Sequence, residues 1–391
     1  MNLINIGTYP PKQCGIATFS MDFRNSQLLN SNTVQVISVS DEKHQYTYGN
    51  EVIFNIRQNF RQDYVNAAAF INSMPEKIDL AVIQHEYGIY GGEDGEYIID
   101  LVKQLDIPYV LITHTILPQP SKKQKQILNA LGFGSAGIIC MTARSCKLLN
   151  NLYEAPAELT KIIPHGVPEF TPRPASLLKA KYGFKGKNII STFGLLGPGK
   201  GLEIAIQAMK YVVKDHPDTC YLILGQTHPM LIKSEGEKYR SMLESLVLEL
   251  KLHSQVQFIN KFLTDEQLGE YLYMTDVYLS PYPNKDQAVS GTLAFAIGCA
   301  RAIVSTSYSY AVEMLSGGRG LLSEPQNPEQ IAQLINKILT DNHLKASLQD
   351  KTKTLGANWS WPNVGLKYSE FFHTLTDKNA EKGQIIKYAR V

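Results

Sequence analysis

The feature that most constrains the fold of this chain is a regular alternation of short apolar segments with amphipathic segments of helical period. The apolar segments are rich in β-branched residues and lack polar alternation, which predicts strands buried on both faces. Parallel sheets with helices packed on both sides satisfy this pattern, so the sequence predicts an α/β fold. The predicted strands are 3–6, 34–39, 80–84, 109–113, 137–141, 189–193, 220–224, 256–259, 277–279, 302–306 and 320–322.

Two segments carry the clearest helix signals. Apolar residues from Leu202 to Val213 recur at helical spacing with lysines between them, which predicts an amphipathic helix over 202–213. Thr264 stands directly before Asp265 and Glu266, and a threonine in this place is a typical N-cap. We therefore expect a second helix to begin at Asp265.

A proline-rich segment divides the chain. Four prolines stand among the eleven residues 164–174, and they interrupt the alternation of strands and helices. This pattern predicts an N-terminal Rossmann-like domain over 1–168, a linker over 169–184 and a C-terminal Rossmann-like domain over 185–357. Residues 358–391 are predicted to form a helix that crosses back to the first domain, followed by a polar tail. Two doubly wound domains of this kind would bind a ligand at the carboxyl ends of their strands.

Composition and charge exclude several functional classes. The chain has 391 residues, enough for two domains, and 44% of them are hydrophobic, as is usual for a globular protein. A net charge of +2, without a basic run that alternates with aromatic residues, gives no reason to expect nucleic acid as a partner. No apolar run reaches the length of about 20 residues that a membrane span requires. Peripheral membrane contact stays open.

The five cysteines are scattered and show no spacing typical of a structural zinc site. Reduced thiols are the simplest interpretation, because disulfides are rare in the cytosol. The first residues lack the basic region and cleavage site of a signal peptide. We therefore expect a cytoplasmic protein without a structural zinc site.

Two loops in the second half of the chain have the character of phosphate-binding loops. Ser290, Gly291 and Thr292 lead into a short apolar helix, and small residues at a helix N-terminus can cradle an anion. Gly194 and Lys200 belong to a glycine-rich loop that also lies between a predicted strand and a helix. Tyr282, Pro283 and Asp286 precede the first loop and are expected to shape its pocket. Two such loops indicate a nucleotide-linked substrate.

Several short motifs together resemble one family over residues 1–375. They are TYPPKQCGIATF at 8–19, QHEYG at 84–88, HTILP at 114–118, IPHGVP at 163–168 and TFGLL at 192–196. With them the chain resembles the family-4 retaining glycosyltransferases, which have the GT-B fold: two Rossmann-like doubly wound domains that face each other across a cleft.

The resemblance implies an activity and its partners. Such enzymes move a hexose from a nucleoside-diphosphate sugar to a hydroxyl of a glycan or glycoconjugate acceptor, and they retain the anomeric configuration. They generally need no metal ion or other cofactor. The role that the resemblance suggests is polysaccharide or glycoconjugate assembly in bacteria.

Five site residues are expected in the first domain. The backbone groups of Gly15 and Ile16 would contact the donor diphosphate and the acceptor, and a side chain at position 15 would block close approach. His114 ends a strand, where the family has a histidine that contacts the donor sugar, so it is predicted to be catalytic. His85 and Glu86 also follow a strand and are expected on the acceptor side.

The second domain is expected to hold the donor. Lys200 would neutralise the charge that develops on the leaving diphosphate, and Gly194 would approach the donor closely. By resemblance, Gln226 and Phe262 border the nucleotide base. Glu313 matches a further acidic position and is predicted to start a helix or to lie beside the ribose.

The chain departs from the family at three positions. The family has an arginine five residues before the lysine, where this chain has Leu195. Its two glutamates, eight residues apart, align with Gln287 and Phe295. Gln287 can still hydrogen-bond a sugar hydroxyl or a phosphate oxygen, and we count it among the catalytic candidates, but Phe295 cannot accept a hydrogen bond from a ribose. With no carboxylate nucleophile, a front-face transfer is preferred.

These departures keep other functions open. One is a non-catalytic GT-B module that binds a glycan or nucleotide, or that serves an active transferase as its partner. Another is a glycan phosphorylase on the same fold, which would bind free phosphate in place of the nucleotide diphosphate. A secreted two-lobed sugar-binding protein fits less well, since the sequence predicts no export signal.

Overall fold

The computed structural model describes residues 1–41 and 46–381, and these form two compact units. The first unit runs from Met1 to Gly166 and also includes the segment that begins at Trp361. The second unit runs from Val167 to Ser360. The segment 169–184, for which the sequence predicts a linker, therefore belongs to the second unit. The polar tail expected at the C-terminus lies largely outside the described residues.

The first unit contains one parallel sheet. Within residues 1–41 and 46–166, seven strands are arranged in the order β3-β2-β1-β4-β5-β6-β7. In this register Leu3 of β1 pairs with Val34 of β2 on one side and with Leu80 of β4 on the other. The strands are β1 (Asn2–Gly7), β2 (Thr33–Ser40), β3 (Val52–Arg57), β4 (Leu80–His85), β5 (Tyr109–Thr113), β6 (Gly137–Cys140) and β7 (Thr160–Ile162).

Within residues 1–41 and 46–166, five α-helices accompany this sheet. β4 and β5 are completely buried, as the apolar runs 80–83 and 109–112 predict. The two outermost strands, β3 and β7, are mostly half-buried or exposed, and neither is predicted from the sequence because their apolar runs are shorter than four residues. The helices are α1 (Gly15–Leu29), α2 (Arg61–Asn72), α3 (Ile98–Val102), α4 (Lys122–Phe133) and α5 (Ala143–Leu152).

The second unit also contains one parallel sheet. Over residues 167–360, all of which are described, six parallel strands are arranged in the order β10-β9-β8-β11-β12-β13. All six are close to the predicted segments. The strands are β8 (Asn188–Phe193), β9 (Thr219–Leu224), β10 (Val256–Ile259), β11 (Val277–Ser280), β12 (Ala302–Thr306) and β13 (Leu321–Ser323).

The helices of the second unit include both that the sequence predicts. One of them, from Leu202, extends to Asp215, and the other begins at Asp265 with Thr264 as its N-cap in a reciprocal capping box with Gln267. The helices are α6 (Ala175–Lys181), α7 (Leu202–Asp215), α8 (Pro229–Glu235), α9 (Lys238–Glu249), α10 (Asp265–Met274), α11 (Gly291–Gly298), α12 (Ser309–Met314), α13 (Pro328–Thr340) and α14 (Asn342–Gly356).

Helix α6 explains why the segment after the prolines belongs to the second unit. Leu178 of α6 is buried in its core, and Lys179 and Lys181 form ion pairs with Asp276 and Glu270. The Lys181 ammonium and the Tyr182 hydroxyl, both hydrogen-bonded to Glu270, hold the pKa of that carboxyl below its ordinary value. Prolines alone therefore do not define a linker here.

The last helix belongs to the first unit. Helix α15 (Trp361–Glu381) packs on α1, where the Gln27 side chain donates to the carbonyl oxygen of Gly365 at 2.9 Å. The rings of Phe23 and Tyr368 meet edge to face at a centroid distance of 5.3 Å. The sequence predicts a return to the first domain for this same segment.

Both sheets have the strand order of a doubly wound fold. The order reverses between β1 and β4 in the first unit and between β8 and β11 in the second. Adjacent connections leave the sheet towards opposite faces at such a point, and a crevice opens at the carboxyl ends of the two strands. The loops after β1, β4, β8 and β11 are therefore the places where each unit can bind a ligand.

Candidate functional site

Two loops of the second unit meet beside its switch point. The loop after β8 contains Gly194 and a single 3₁₀ turn, Pro198–Lys200, and the loop after β11 contains Tyr282. A Cβ atom on Gly201 would lie 2.1 Å from the carbonyl oxygen of Pro281, and the φ of Gly201 is +62°. Only glycine allows the two loops to come this close.

Side chains from these loops form one hydrogen-bond network. The Lys200 ammonium donates to the Tyr282 hydroxyl at 2.6 Å, and the Tyr282 and Thr292 hydroxyls lie 2.8 Å apart. The Thr292 hydroxyl lies 3.2 Å from the hydroxyl of Ser290, which caps α11 by accepting from the Leu293 amide. Lys200 and the loop Ser290–Thr292, two separate phosphate-loop candidates in the sequence, are thus brought together.

Tyr282 holds the centre of this network. Its ring is buried and stacks on Tyr308, with centroids 5.1 Å apart and planes 18° from parallel. Burial is the largest single influence and would raise the pKa of Tyr282. The Lys200 charge, together with hydrogen bonds from Lys200, Thr292 and Ser290, lowers the pKa below its ordinary value. The same charge lowers the pKa of His228, in addition to the larger effect of burial.

The helix behind the network supplies further donors. The first amides of any helix have no partner within the helix, and the helix dipole adds partial positive charge there. In α11 these amides are those of Gly291 and Thr292, beside the Ser290 cap. A Cβ atom on Gly194 would lie 3.5 Å from the Lys200 nitrogen, so that glycine borders the same place. The arrangement can hold an anion.

Gln287 and Phe295, the positions that depart from the family pattern, take different roles. The Gln287 amide donates to the carbonyl oxygen of Val289 at 2.8 Å, so it braces the loop before α11. Phe295 lies on α11 and packs into the core, with its ring 5.8 Å from that of Phe193 and 5.9 Å from that of Phe170. A carboxylate at that position would be buried among apolar rings.

The three residues that are predicted to lie near the nucleotide belong to different parts of the second unit. Gln226 comes two residues after β9, and its carbonyl oxygen accepts from the Leu196 amide at 2.9 Å. Phe262 follows β10 and is 56% exposed, an unusual place for a large aromatic ring. Glu313 lies near the end of the short helix α12, so the expectation that it starts a helix is wrong.

In the first unit, the loop after β1 leads directly into α1. Cys14 is the N-cap of this helix, and its sulfur accepts from the amide of Ala17 at 3.4 Å. Gly15 and Ile16 are the first helical residues, as a loop that presents amides requires. A Cβ atom on Gly15 would meet nothing within 4 Å, so packing within the protein does not require glycine there.

His114 directly follows β5 and belongs to a chain of buried amides. Its Nε2 lies 2.9 Å from the Gln84 Oε1, and the Gln84 Nε2 donates to the Asn5 Oδ1 at 2.8 Å. In this assignment Gln84 presents an acceptor, so His114 carries its proton on Nε2 and keeps Nδ1 as an acceptor. The edge of Phe19 packs against the imidazole at 4.7 Å.

His85 and Glu86 stand at the carboxyl end of the neighbouring strand, β4. His85 is buried, and its Nδ1 has no hydrogen-bond partner. Glu86 accepts from the Thr115 hydroxyl at 2.6 Å and from the Tyr87 amide at 3.1 Å, while its burial raises the pKa of the carboxyl. The structure thus places His85, Glu86 and His114 at adjacent strand ends, as the sequence predicts.

The buried histidines of the first unit are neutral. Burial lowers the pKa of His85 and of His165 to about 4. The pKa of His114 falls to about 3, through burial first and then through His165 and His85. A neutral imidazole can exchange hydrogen bonds with sugar hydroxyls without adding charge.

Two residues of the site carry roles that sequence reasoning missed. In the sequence Gln84 stands out only as part of the QHEYG motif, although a polar residue inside a buried strand is a signal of a buried network. The sequence predicts that Tyr282 shapes the pocket, and its bond to Lys200 depends on the tertiary approach of two loops. Neither partner could be read from spacing along the chain.

The described residues contain neither a metal-binding cluster nor a membrane-spanning helix. Among the described residues, no group of three or more His, Cys, Asp and Glu side chains could hold a metal ion. In residues 1–41 and 46–381, no helix combines the length and apolar character that a membrane crossing requires.

Comparison with known proteins finds a family match within the second unit. Residues 176–355 match the family described as glycosyl transferases group 1. An uncharacterized glycosyltransferase of Methanocaldococcus jannaschii is 26% identical over 205 residues, which are 51% of this chain and 48% of that protein. The putative glycosyltransferase YtcC of Bacillus subtilis is 24% identical over 238 residues, 57% of each chain. These matches span about half the length of both relatives.

Solved structures share the architecture along nearly the whole chain. A glycosyltransferase from Rickettsia africae has a TM-score of 0.75 at 17% identity, covering 96% of this chain and 98% of its own. Anabaena HepE in complex with UDP has a TM-score of 0.74 at 15% identity, covering 96% and 100%. Sucrose-phosphate synthase from Thermosynechococcus elongatus has a TM-score of 0.77 at 16% identity, covering 97% and 100%. These similarities confirm the predicted GT-B class of fold.

Proposed function

Because residues 176–355 match the family of group 1 glycosyl transferases, we propose that this protein is a retaining glycosyltransferase of family 4. It transfers a hexose from a nucleoside-diphosphate sugar to a hydroxyl of a glycan or glycoconjugate. The observation that carries the proposal is the meeting of Lys200 and the N-terminus of α11 at the Tyr282 hydroxyl. An ammonium and helix amides at a switch point are suited to a diphosphate.

The diphosphate would be held by the second unit. Lys200 supplies the positive charge, and the backbone amides of Gly291 and Thr292 with the Ser290 hydroxyl supply hydrogen bonds. Gly194 leaves room for a phosphate oxygen beside Lys200. HepE was solved in complex with UDP, so UDP-sugars are the first donors to test. Gln226, Phe262 and Glu313 are proposed to border the nucleotide, and Gln287 the sugar or phosphate.

The sugar and the acceptor would contact the first unit's residues. His114 would accept from a sugar hydroxyl through Nδ1, since its Nε2 is engaged by Gln84. His85 and Glu86 are proposed to contact the acceptor, and the amides of Gly15 and Ile16 the diphosphate. Neither a metal ion nor another cofactor is part of this proposal, and peripheral membrane contact remains a prediction.

Front-face transfer follows from these residues. As the bond between the anomeric carbon and the diphosphate breaks, negative charge grows on the leaving oxygen, and Lys200 with the α11 amides stabilises it. That diphosphate oxygen accepts the proton of the acceptor hydroxyl, which attacks the same face of the sugar. The protein's contribution is to orient both substrates and to stabilise charge, with no covalent intermediate.

The test uses the purified protein with a panel of UDP-, GDP- and ADP-hexoses. Binding raises the unfolding temperature, because the ligand stabilises the native state. With a stabilising donor and a panel of glycan acceptors, we expect release of the nucleoside diphosphate and a product whose anomeric configuration, read by NMR, is that of the donor.

Other outcomes would identify the alternatives. Donor binding without transfer to any acceptor would favour a non-catalytic binding module. Release of a sugar 1-phosphate that requires inorganic phosphate would indicate a phosphorylase. Inversion at the anomeric carbon would contradict the retaining mechanism.

A further inference from the structure

Only the first hydrogen bond around Tyr282 has a fixed direction. The Lys200 ammonium can only donate, so the Tyr282 oxygen accepts from it. The Tyr282 and Thr292 hydroxyls lie 2.8 Å apart, the Thr292 and Ser290 hydroxyls lie 3.2 Å apart, and either oxygen of each pair can be the donor. The Tyr282 oxygen is therefore the acceptor that holds the ammonium.

We propose that Tyr282 is a positioning residue, whose hydroxyl holds the Lys200 ammonium in place against the N-terminus of α11. The choice of diphosphate as the anion that this ammonium meets rests on the proposed function. The positioning itself is a property of the protein alone. It assigns to Tyr282 a task that acts through Lys200 rather than through direct chemistry on a substrate.

Tyr282 is suited to this task because its own ring cannot move. The ring is 3% exposed and stacked on Tyr308, whose hydroxyl lies 2.8 Å from that of Ser280 on β11. A lysine side chain has four rotatable bonds, and its charge has no fixed place unless a partner holds it. A rigid hydroxyl at 2.6 Å provides that partner.

The need for such a partner follows from the composition of the site. Leu195 stands where the resemblance places an arginine, so Lys200 is the cation that the loop after β8 contributes to the network. A single flexible ammonium stabilises a developing charge best when it is already in position. If the side chain has to move into place during the reaction, the cost of that movement reduces the stabilisation of the transition state. The Tyr282 hydroxyl provides this preorganisation.

Tyr282→Phe is the informative substitution, since it removes the hydroxyl and retains the stacked ring. The Lys200 nitrogen lies 4.5 Å from the ring centroid, so the cation–π contact also survives. Tyr308→Phe is the matched control: it removes a buried hydroxyl from the same stacked pair and leaves the bond between Lys200 and Tyr282 intact.

The first measurement needs no substrate. Lys200 is labelled with limiting acetic anhydride in the full-length protein, and the rate at this residue is read by mass spectrometry against the other lysines. We expect Tyr282→Phe to change the rate at Lys200 several-fold, because the amine is no longer held, and Tyr308→Phe to leave it unchanged. Equal rates in all three proteins would overturn the proposal, whatever the protein's function.

The second measurement is a double-mutant cycle on turnover and on the affinity for UDP. Tyr282→Phe is expected to lower kcat roughly 10-fold, the scale of one hydrogen bond to a charged group. In the Lys200→Ala background it should have no further effect, because it acts through that amine. Additive effects would overturn the proposal. A wild-type protein that binds no nucleotide would contradict the proposed function, and the labelling rates would still decide the role of Tyr282.

Discussion

The two units have the same strand order around their switch points but present opposite chemistry there. In the first unit, Gln84 and His114 form a neutral chain with Asn5 behind the strand ends. In the second unit, the Lys200 ammonium places a positive charge at one end of a chain of hydroxyls that begins at Tyr282. The fold provides a crevice in both cases, and the side chains decide whether it suits uncharged hydroxyls or an anion.

The largest expected effect concerns Lys200, the charged group of the network in the second unit. Lys200→Ala should lower kcat by about 10²–10³-fold, the scale for removing one preorganised group that stabilises developing charge. Thermal unfolding should change little, because Lys200 is only partly buried. Lys185→Ala, an exposed lysine of the same unit, is the control and should leave both values unchanged. Turnover of Lys200→Ala near that of the wild type would remove the ammonium from the mechanism.

A fall in pH should destabilise the first unit, which contains the neutral buried histidines, before the second unit. Within the described residues, the three buried histidines, His85, His114 and His165, all belong to the first unit. Their pKa values lie at about 4, 3 and 4, below the unfolded value near 6.5, so the unfolded state binds more protons as the pH falls. Each should cost about 1 kcal/mol of stability between pH 7.5 and 5.5. The raised pKa of Glu86 acts in the opposite direction and offsets part of the loss.

Hydrogen exchange resolved by segment can measure this difference. Protection of β4 and β5 should decrease between pH 7.5 and 5.5, after correction for the intrinsic exchange rate, before that of β8 and β11. Equal losses in the two units would show that the buried histidines do not control the acid response.

Glycines at the two switch points should differ in what they contribute to stability. Gly201→Ala places a methyl group 2.1 Å from a backbone oxygen at a φ of +62°, and the strain should cost about 1–3 kcal/mol. Gly15→Ala adds its methyl group to open space at the start of a helix and should leave the unfolding temperature unchanged. Chemical denaturation of both variants gives the comparison. A larger loss in Gly15→Ala would mean that the start of α1 is packed more tightly than the distances indicate.

The smallest effect concerns the amide chain itself. Gln84→Leu should cost about 1–2 kcal/mol, because the Asn5 amide and the His114 imidazole each lose a buried partner. Gln62→Leu removes an exposed glutamine whose contact is with Asn66, and should change stability by less than about 0.5 kcal/mol. Urea denaturation at neutral pH measures both. If Gln84→Leu is neutral, the chain does not orient His114.

Much of the fold could be predicted because its signal is local. The central strands β4, β5 and β9 are buried on both faces, and their apolar runs of four or more residues stand out in the sequence. The edge strand β7 is held by pairing with one neighbour and carries no such run. The prolines in 164–174 predict a linker, yet α6 follows them and docks through its lysines on Asp276 and Glu270.

The candidate site, like the fold, has some features that are local in the sequence and others that depend on the tertiary structure. By itself the sequence determined which loops have small residues and helix starts, and which side chains stand at strand ends, because these depend on neighbours along the chain. Only the tertiary structure decided that Lys200 and Thr292 share the Tyr282 hydroxyl, and that Gln84 engages His114. The partners in these bonds are separated by 10 to 82 residues, and a bond between such distant residues forms only after the sheet has set the position of each loop.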